Sequence, residues 1–384
     1  MKYMGSKRAM LGNGLGAAVT RGARRADRIV DLFSGSGAVA TYAAEATDLP
    51  VRAVDLQQYA VPLAASVITR TAPADAEEIS SAWLDRACNE LSADPSWEEY
   101  SHLIRGQFTA AAVWRARVLA ESAPEGSMLR AFGGHYYAPS QALTFDYLLR
   151  RMPKEPPLAA LCSAAMIRAG SRCAAAPGHT AQPFQPTQRA LPFIRAAWMK
   201  DPITAVRTAL ADLAPRYART AGNAERADAL DVAATLGPGD LAIVDPPYSA
   251  VQYSRFYHVL EALAKGYVGP VTGAGRYAPI SERPKSDFSM KSRAPTACTR
   301  LLEALADAGC RVIFTFPIAE CSNGLSGHDV LDRATGRFKV EATAVNGRFS
   351  TLGGNARDNG RAARHNSQEL ILTMVPRIAR IPHS

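Results

Sequence analysis

The chain has 384 residues, 47% hydrophobic and 21% charged, which fits one large or two ordinary globular domains and excludes a disordered or fibrous class. There is no run of ~18 apolar residues and no basic-apolar-small pattern at the start, so a soluble cytoplasmic protein with no membrane partner is expected. Net charge is +9 and regional: residues 1–28 carry seven Lys/Arg against one Asp, 71–125 four against ten acids, and 126–219 twelve against four, a bias that fits a polyanionic partner.

The six cysteines never form a C-x-x-C and the seven histidines never form an H-E-x-x-H, so neither a disulfide framework nor a metal site is expected. In chain order, Lys2-Tyr3-Met4-Gly5-Ser6-Lys7-Arg8 leads into a predicted helix and a basic run from Arg21 to Arg28. Gly12-Asn13-Gly14-Leu15-Gly16 has glycine-loop composition but no preceding strand, and reads as a turn.

Arg28-Ile29-Val30-Asp31-Leu32-Phe33 reads as a parallel strand, and Ser34-Gly35-Ser36-Gly37 turns it into an apolar helix. Glycines there let the backbone approach a ligand at a helix N-terminus. A second strand from Val51 ends in Asp55, about 20 residues past the loop, where a carboxylate reaches ribose hydroxyls, so an adenosine-containing cofactor is expected. Asp31, at the end of its strand, puts a carboxylate beside that ligand and favours a cationic group over a pyrophosphate.

Residues 71–235 are too long for a loop and read as a largely helical insertion. Within them a helix is predicted from Pro139, with Ser140 as N-cap. Gly133-Gly134-His135-Tyr136-Tyr137 and Pro177-Gly178-His179-Thr180-Ala181-Gln182 are candidate nucleic-acid contacts in the basic half. The buried strand Leu241-Ala242-Ile243-Val244 stops at Asp245-Pro246-Pro247-Tyr248. Two prolines stiffen this turn and withdraw two backbone donors, leaving carbonyls free for a ligand. Asp245 and the Pro246 carbonyl can each accept an N–H of an amino group on an aromatic ring, and Tyr248 can stack on that ring, as in enzymes that extrude a nucleobase.

Beyond that turn, the stretch Gln252 to His258 leads into a helix ending near Lys265, and His258 reads as a packing or substrate-positioning residue. Residues 281–293 read as a mobile basic loop. A strand at 311–316 precedes two more, 338–345 and 369–375, which form an antiparallel hairpin at the edge of a parallel sheet. The expected architecture is α/β: a doubly wound, mostly parallel sheet built by 1–70 and 236–384, with 71–235 inserted.

The set Tyr3-x-Gly5-Ser6-Lys7, Asp31-Leu32-Phe33-Ser34-Gly35-Ser36-Gly37, Asp55 and Asp245-Pro246-Pro247-Tyr248, in that order, resembles the adenine-specific DNA methyltransferases of the D12 type, which include the Dam-like enzymes. The resemblance covers roughly residues 1–60 and 236–375; the 252–261 stretch and Gly178-His179 also resemble members of restriction-type systems. It implies a class I S-adenosylmethionine-dependent fold, the insertion as target-recognition domain, duplex DNA as substrate, and a cognate restriction endonuclease as a further partner. It also implies that Tyr3, Lys7, Asp55 and Asp245 contact S-adenosylmethionine, that Phe33, Gly35 and Gly37 shape its pocket, and that Asp245, Pro246, Pro247 and Tyr248 form the catalytic turn. Cytosine-N4 methylation needs the same acceptors. A nicotinamide oxidoreductase would share the glycine loop and Asp55, and a non-catalytic DNA-binding subunit would share the fold.

Overall fold

Apolar β-branched runs make the sheet. In the computed structural model, which describes residues 7–350 and 364–377 (for 347–350 and 364–367 the backbone alone), the strands are β1 (Arg28–Asp31), β2 (Val51–Asp55), β3 (Asn223–Arg226), β4 (Asp240–Val244), β5 (Arg311–Pro317), β6 (Phe338–Ser350) and β7 (Arg364–Pro376). They join in the order β3-β2-β1-β4-β5-β7-β6. The first five are parallel, and β7 is antiparallel to both β5 and β6. The hairpin expected at the sheet edge is present, and the sheet is α/β and mostly parallel.

Both faces of the sheet are covered, which is why its central strands read as continuous apolar runs rather than alternating ones. Ile29, Leu241, Ile243 and Ile313 pack on one side with the helices Gly16–Ala23 and Ala38–Ala46. Val30, Ala242, Val244, Val312 and Phe314 pack on the other with Ala294–Asp307 and Gly327–Thr335. The chain leaves β1 toward β2 and returns to add β4 on β1's other side, so the carboxyl ends of β1 and β4 flank a topological switch point, where doubly wound sheets hold ligands.

Several local expectations are corrected. Gly12 to Gly16 is not a turn: the segment Leu11–Leu15 continues the helix through a kink at Asn13 and Gly14, whose φ is 96°. A Cβ on Gly14 would meet Ile371 and Val345 at 3.4 and 3.5 Å, so the kink lies against the hairpin. The helix Pro139–Arg151 is capped by Ala138, not Ser140; Pro139 takes the first helical position, and the Gln141 side chain accepts the Ala138 N–H at 3.0 Å. The helix expected to end near Lys265 is present as His258–Lys265; the addition is a short helix before it, Tyr253–Phe256.

The chain divides into two compact units, one made of Gly5–Thr71, Tyr217–Tyr253 and Lys285–Ser384, the other chiefly of Ala72–Arg216 and Ser254–Pro284. Residues 217–235, placed in the insertion on sequence grounds, carry β3 and the helix Ala229–Ala233 and belong with the sheet. Strand β3 escapes notice because its residues, Asn-Ala-Glu-Arg, are all at least partly exposed. The second unit is helical, with a core that includes Val113, Ala116, Ile194 and Trp198.

Tyr136 and Tyr137, offered as nucleic-acid contacts, are fully buried in that second unit. The Tyr136 hydroxyl shares its one proton between the Thr180 and Gly275 carbonyls, 2.7 and 2.9 Å away, and the Tyr137 hydroxyl donates to that of Gly170 at 3.0 Å. His258 is buried among Phe132, Tyr136 and Tyr277, as a packing histidine would be. In the first unit, the end of the 281–293 segment folds as a turn at Asp287–Ser289 that buries Phe288. Among the described residues no helix is long and apolar enough to cross a membrane, and no group of three His, Cys, Asp or Glu could hold a metal ion.

Candidate active site

The site is built at the carboxyl ends of β1 and β4. Asp31 pairs in register with Ile243, and the Leu32 N–H donates to the Ile243 carbonyl at 3.0 Å. The glycine loop after β1 therefore stands beside the Asp-Pro-Pro-Tyr turn after β4.

In the loop, Gly35 and Gly37 take φ of 50° and 72°, the left-handed region open to glycine. Gly37 precedes the helix Ala38–Ala46, and a Cβ there would sit 3.0 Å from the Ala64 nitrogen and the Leu63 carbonyl. Gly37→Ala is therefore expected to cost about 2–4 kcal/mol from combined backbone strain and overpacking. Urea or thermal unfolding checks this; an unchanged midpoint would contradict it.

Asp55, at the end of β2, accepts the Gly35 N–H and the Gln57 N–H, each at 2.8 Å. The carboxylate is thereby fixed against the loop. Three buried polar atoms around this loop have no partner among the described residues: Asp31 Oδ2, Ser34 Oγ and Gln57 Oε1. Leaving each unpaired costs about 1–3 kcal/mol, so the ends of β1 and β2 carry polar groups that can serve as a cradle for a polar ligand. The Phe33 ring is half-buried and packs edge-on against Phe288 at 5.2 Å.

At the turn, two donors converge on one oxygen of Asp245. Thr315 Oγ donates to Oδ1 at 2.9 Å and Lys7 Nζ lies 3.1 Å from the same atom. Oδ2 has no partner among the described residues, and neither does the Pro246 carbonyl. The next carbonyl, that of Pro247, is taken by Asn323 Nδ2 at 2.9 Å; the same nitrogen reaches the Phe288 carbonyl at 3.1 Å and ties the turn to the Asp287–Ser289 segment. Lys7 also donates to Glu369 of β7, so its ammonium is held between two carboxylates.

These contacts set the ionisation of the site. Burial pushes Asp31 up to about 7, and the neighbouring Asp245 pushes in the same direction. Asp245 is pushed up to about 6 by burial, opposed by Lys7. Burial pulls Lys7 down, but Asp245 and Glu369 outweigh it and the ammonium is held above its ordinary range. Asp245 and Glu369 thus share one lysine, and Asp31 lies near enough to feel the Asp245 charge, an excess of acid that favours a cationic ligand.

Of the residues singled out in the sequence, Lys7, Asp31, Phe33, Gly35, Gly37, Asp55 and Asp245 to Tyr248 all belong to the sheet unit. Tyr3 lies outside the described residues. Tyr248 departs from expectation. Its ring is 6% exposed, packed edge-on against Phe316 and 5.6 Å from Lys7 Nζ, rather than standing open as a stacking surface. Sequence reasoning missed Gln57, Thr315, Asn323 and Glu369. Thr315 carried a signal, a lone hydroxyl between two phenylalanines near the end of a buried strand; Glu369 opens the apolar run of β7, but nothing local pairs it with Lys7.

No protein-family model matches the chain, and no curated protein matches it.

Proposed function

We propose that the chain is an S-adenosylmethionine-dependent DNA methyltransferase of class I architecture that modifies the exocyclic amine of a base extruded from duplex DNA, with adenine N6 as the target. The observation that carries this reading is the pair of open acceptors, Asp245 Oδ2 and the Pro246 carbonyl, beside a glycine loop whose buried polar atoms lack partners. An amine on an aromatic ring has two N–H bonds, and this turn has two acceptors for them.

S-adenosylmethionine, when bound, supplies a methyl group already activated on a sulfonium. Asp55 would hold ribose hydroxyls, Asp31 the cationic amino-acid end, and Ser34 and Gln57 further polar contacts in the same cradle. Lys7 and Thr315 anchor Asp245 through Oδ1, which leaves Oδ2 to accept from the amine. Acceptors off the ring plane draw the amine's lone pair out of conjugation, so alignment and hydrogen bonding form the protein's contribution. The amine's surplus proton passes through Asp245 Oδ2 to solvent.

Base stacking on Tyr248 requires a face of its ring to be freed. A nicotinamide enzyme fits the site less well, because a pyrophosphate at the glycine loop would face the Asp31 carboxylate.

Modified-base sequencing of DNA from cells expressing the protein tests the reading. N6-methyladenine at one sequence context is expected, N4-methylcytosine would shift the target base, and unmodified DNA would count against the reading.

A further inference from the structure

Several arginines of the helical unit spend side-chain donors on backbone carbonyls. Arg117 lies 4.5 Å from the Trp114 ring and donates to the Gly134 carbonyl at 3.0 Å. Arg276 donates to the carbonyls of Ala131 and Arg130 at 2.7 and 2.8 Å. Arg255 and Arg283 differ. Both guanidiniums lie 5.3 Å from the centroid of the one Tyr277 ring. Among the described residues neither makes an ion pair or donates a side-chain hydrogen bond. Arg283 Nε is buried without a partner.

The tyrosine between them is fixed. Its hydroxyl donates to the Ala181 carbonyl, its backbone pairs with Thr272 in both directions at 2.8 and 3.0 Å, and His258 packs on its ring at 4.7 Å. The unbalanced charge is felt locally: His258 is pushed down to about 4 by burial, with Arg283 and Arg255 pushing the same way. Two like charges gathered at one fixed ring, with no ion pair to either among the described residues, make a place for an anion.

We propose that Arg255 and Arg283, held on Tyr277, clamp a backbone phosphate of the nucleic acid. The inference rests on the DNA reading above for its ligand and on the paired guanidiniums for its place. A phosphodiester suits the geometry because a planar guanidinium presents parallel N–H donors to phosphate oxygens, while the ring holds both guanidiniums in position. The contact carries no base information, so it would position the duplex without reading its sequence.

The test is binding of the full chain to a labelled 30-base-pair duplex across a salt series, alongside calorimetric binding of S-adenosylmethionine. The Arg255→Gln/Arg283→Gln variant is expected to bind the duplex at least roughly tenfold more weakly, with a slope of log affinity against log salt shallower by about 2. Its affinity for S-adenosylmethionine is expected to be unchanged. An Arg255→Lys/Arg283→Lys variant keeps the charge and is expected to keep the slope while losing part of the affinity.

Unchanged duplex affinity and slope in the Gln variant would overturn the proposal. So would a Lys variant whose slope drops as far as that of the Gln variant, since the loss would then be structural. Loss of inorganic phosphate binding with duplex binding intact would mark a small-anion site and overturn the backbone assignment. A wild-type chain that binds duplex through this pair but transfers no methyl group would keep the clamp and remove the methyltransferase reading; one that binds no duplex would overturn the clamp.

Discussion

Replacing Asp245 by asparagine is expected to lower the turnover of methyl transfer by about 10²–10³-fold, the scale of removing one preorganised hydrogen-bonding group from a transition state. The substitution keeps the shape of the turn and leaves Lys7 its second carboxylate, Glu369, so folding should survive. Turnover should collapse while S-adenosylmethionine affinity falls much less, because the lost interaction is an acceptor for the amine. Asp245→Ala is expected to be more damaging, since it also strips a partner from a lysine that is 4% exposed, and breaking a buried ion pair costs about 3–5 kcal/mol. Steady-state kinetics with thermal unfolding as control separate the two effects. An Asp245→Asn enzyme with undiminished turnover would remove Asp245 from the chemistry.

A second large effect is expected in the pH dependence of cofactor binding. Asp31 titrates at about 7 in the ligand-free protein, raised by burial and then by Asp245, so below that pH it is mostly protonated. A cationic ligand group requires the carboxylate, so binding must expel that proton, and affinity falls as pH drops. The linkage relation gives about a 16-fold gain in S-adenosylmethionine affinity between roughly pH 5.5 and 7, below the range where an α-amino group itself loses its proton. Calorimetry in two buffers of different ionisation enthalpy should show about one proton released per cofactor at roughly pH 6. Asp31→Asn should flatten the profile. An affinity that stays level, or falls, as pH rises through this window would show that Asp31 does not face the cation.

The same raised value sets the sign for stability of the ligand-free protein. A carboxyl buried in its neutral form favours the folded state at low pH, and its contribution is lost as pH rises through about 7. Cofactor binding reverses that loss by giving the carboxylate a partner.

What could be read in the sequence was what is local. The run Leu241 to Val244 ending at an aspartate, the glycines between Phe33 and Ala38, and the carboxylate that closes β2 each carry their context within a few residues, and each lies where a doubly wound sheet would put it. The hairpin was legible because β6 and β7 alternate or run apolar over long stretches, although both extend beyond the predicted bounds, to Ser350 and from Arg364.

What could not be read depends on distant parts meeting. Lys7 and Glu369 are 362 positions apart, and only the antiparallel return of β7 beside β5, with Pro317 opposite Glu369, brings that acid to the site. Asn323 joins Pro247 to Phe288 for the same kind of reason. The Ser140 cap failed because two signals competed. Proline fits the first helical turn, and Gln141 supplied the side-chain half of the cap, so the start moved back to Ala138. Tyr248 was read from its chemistry alone, whereas its burial against Phe316 follows from where β5 ends.

The central claim is that the turn after β4 presents an exocyclic base amine to a methyl donor held at the glycine loop. It is tested most directly by incubating the purified full-length chain with duplex DNA and methyl-labelled S-adenosylmethionine, digesting the DNA to nucleosides and separating them by mass. Label in N6-methyladenine, lost in the Asp245→Asn variant, is the expected result. Label in no exocyclic amine, under conditions where the protein binds both S-adenosylmethionine and the duplex, would contradict it.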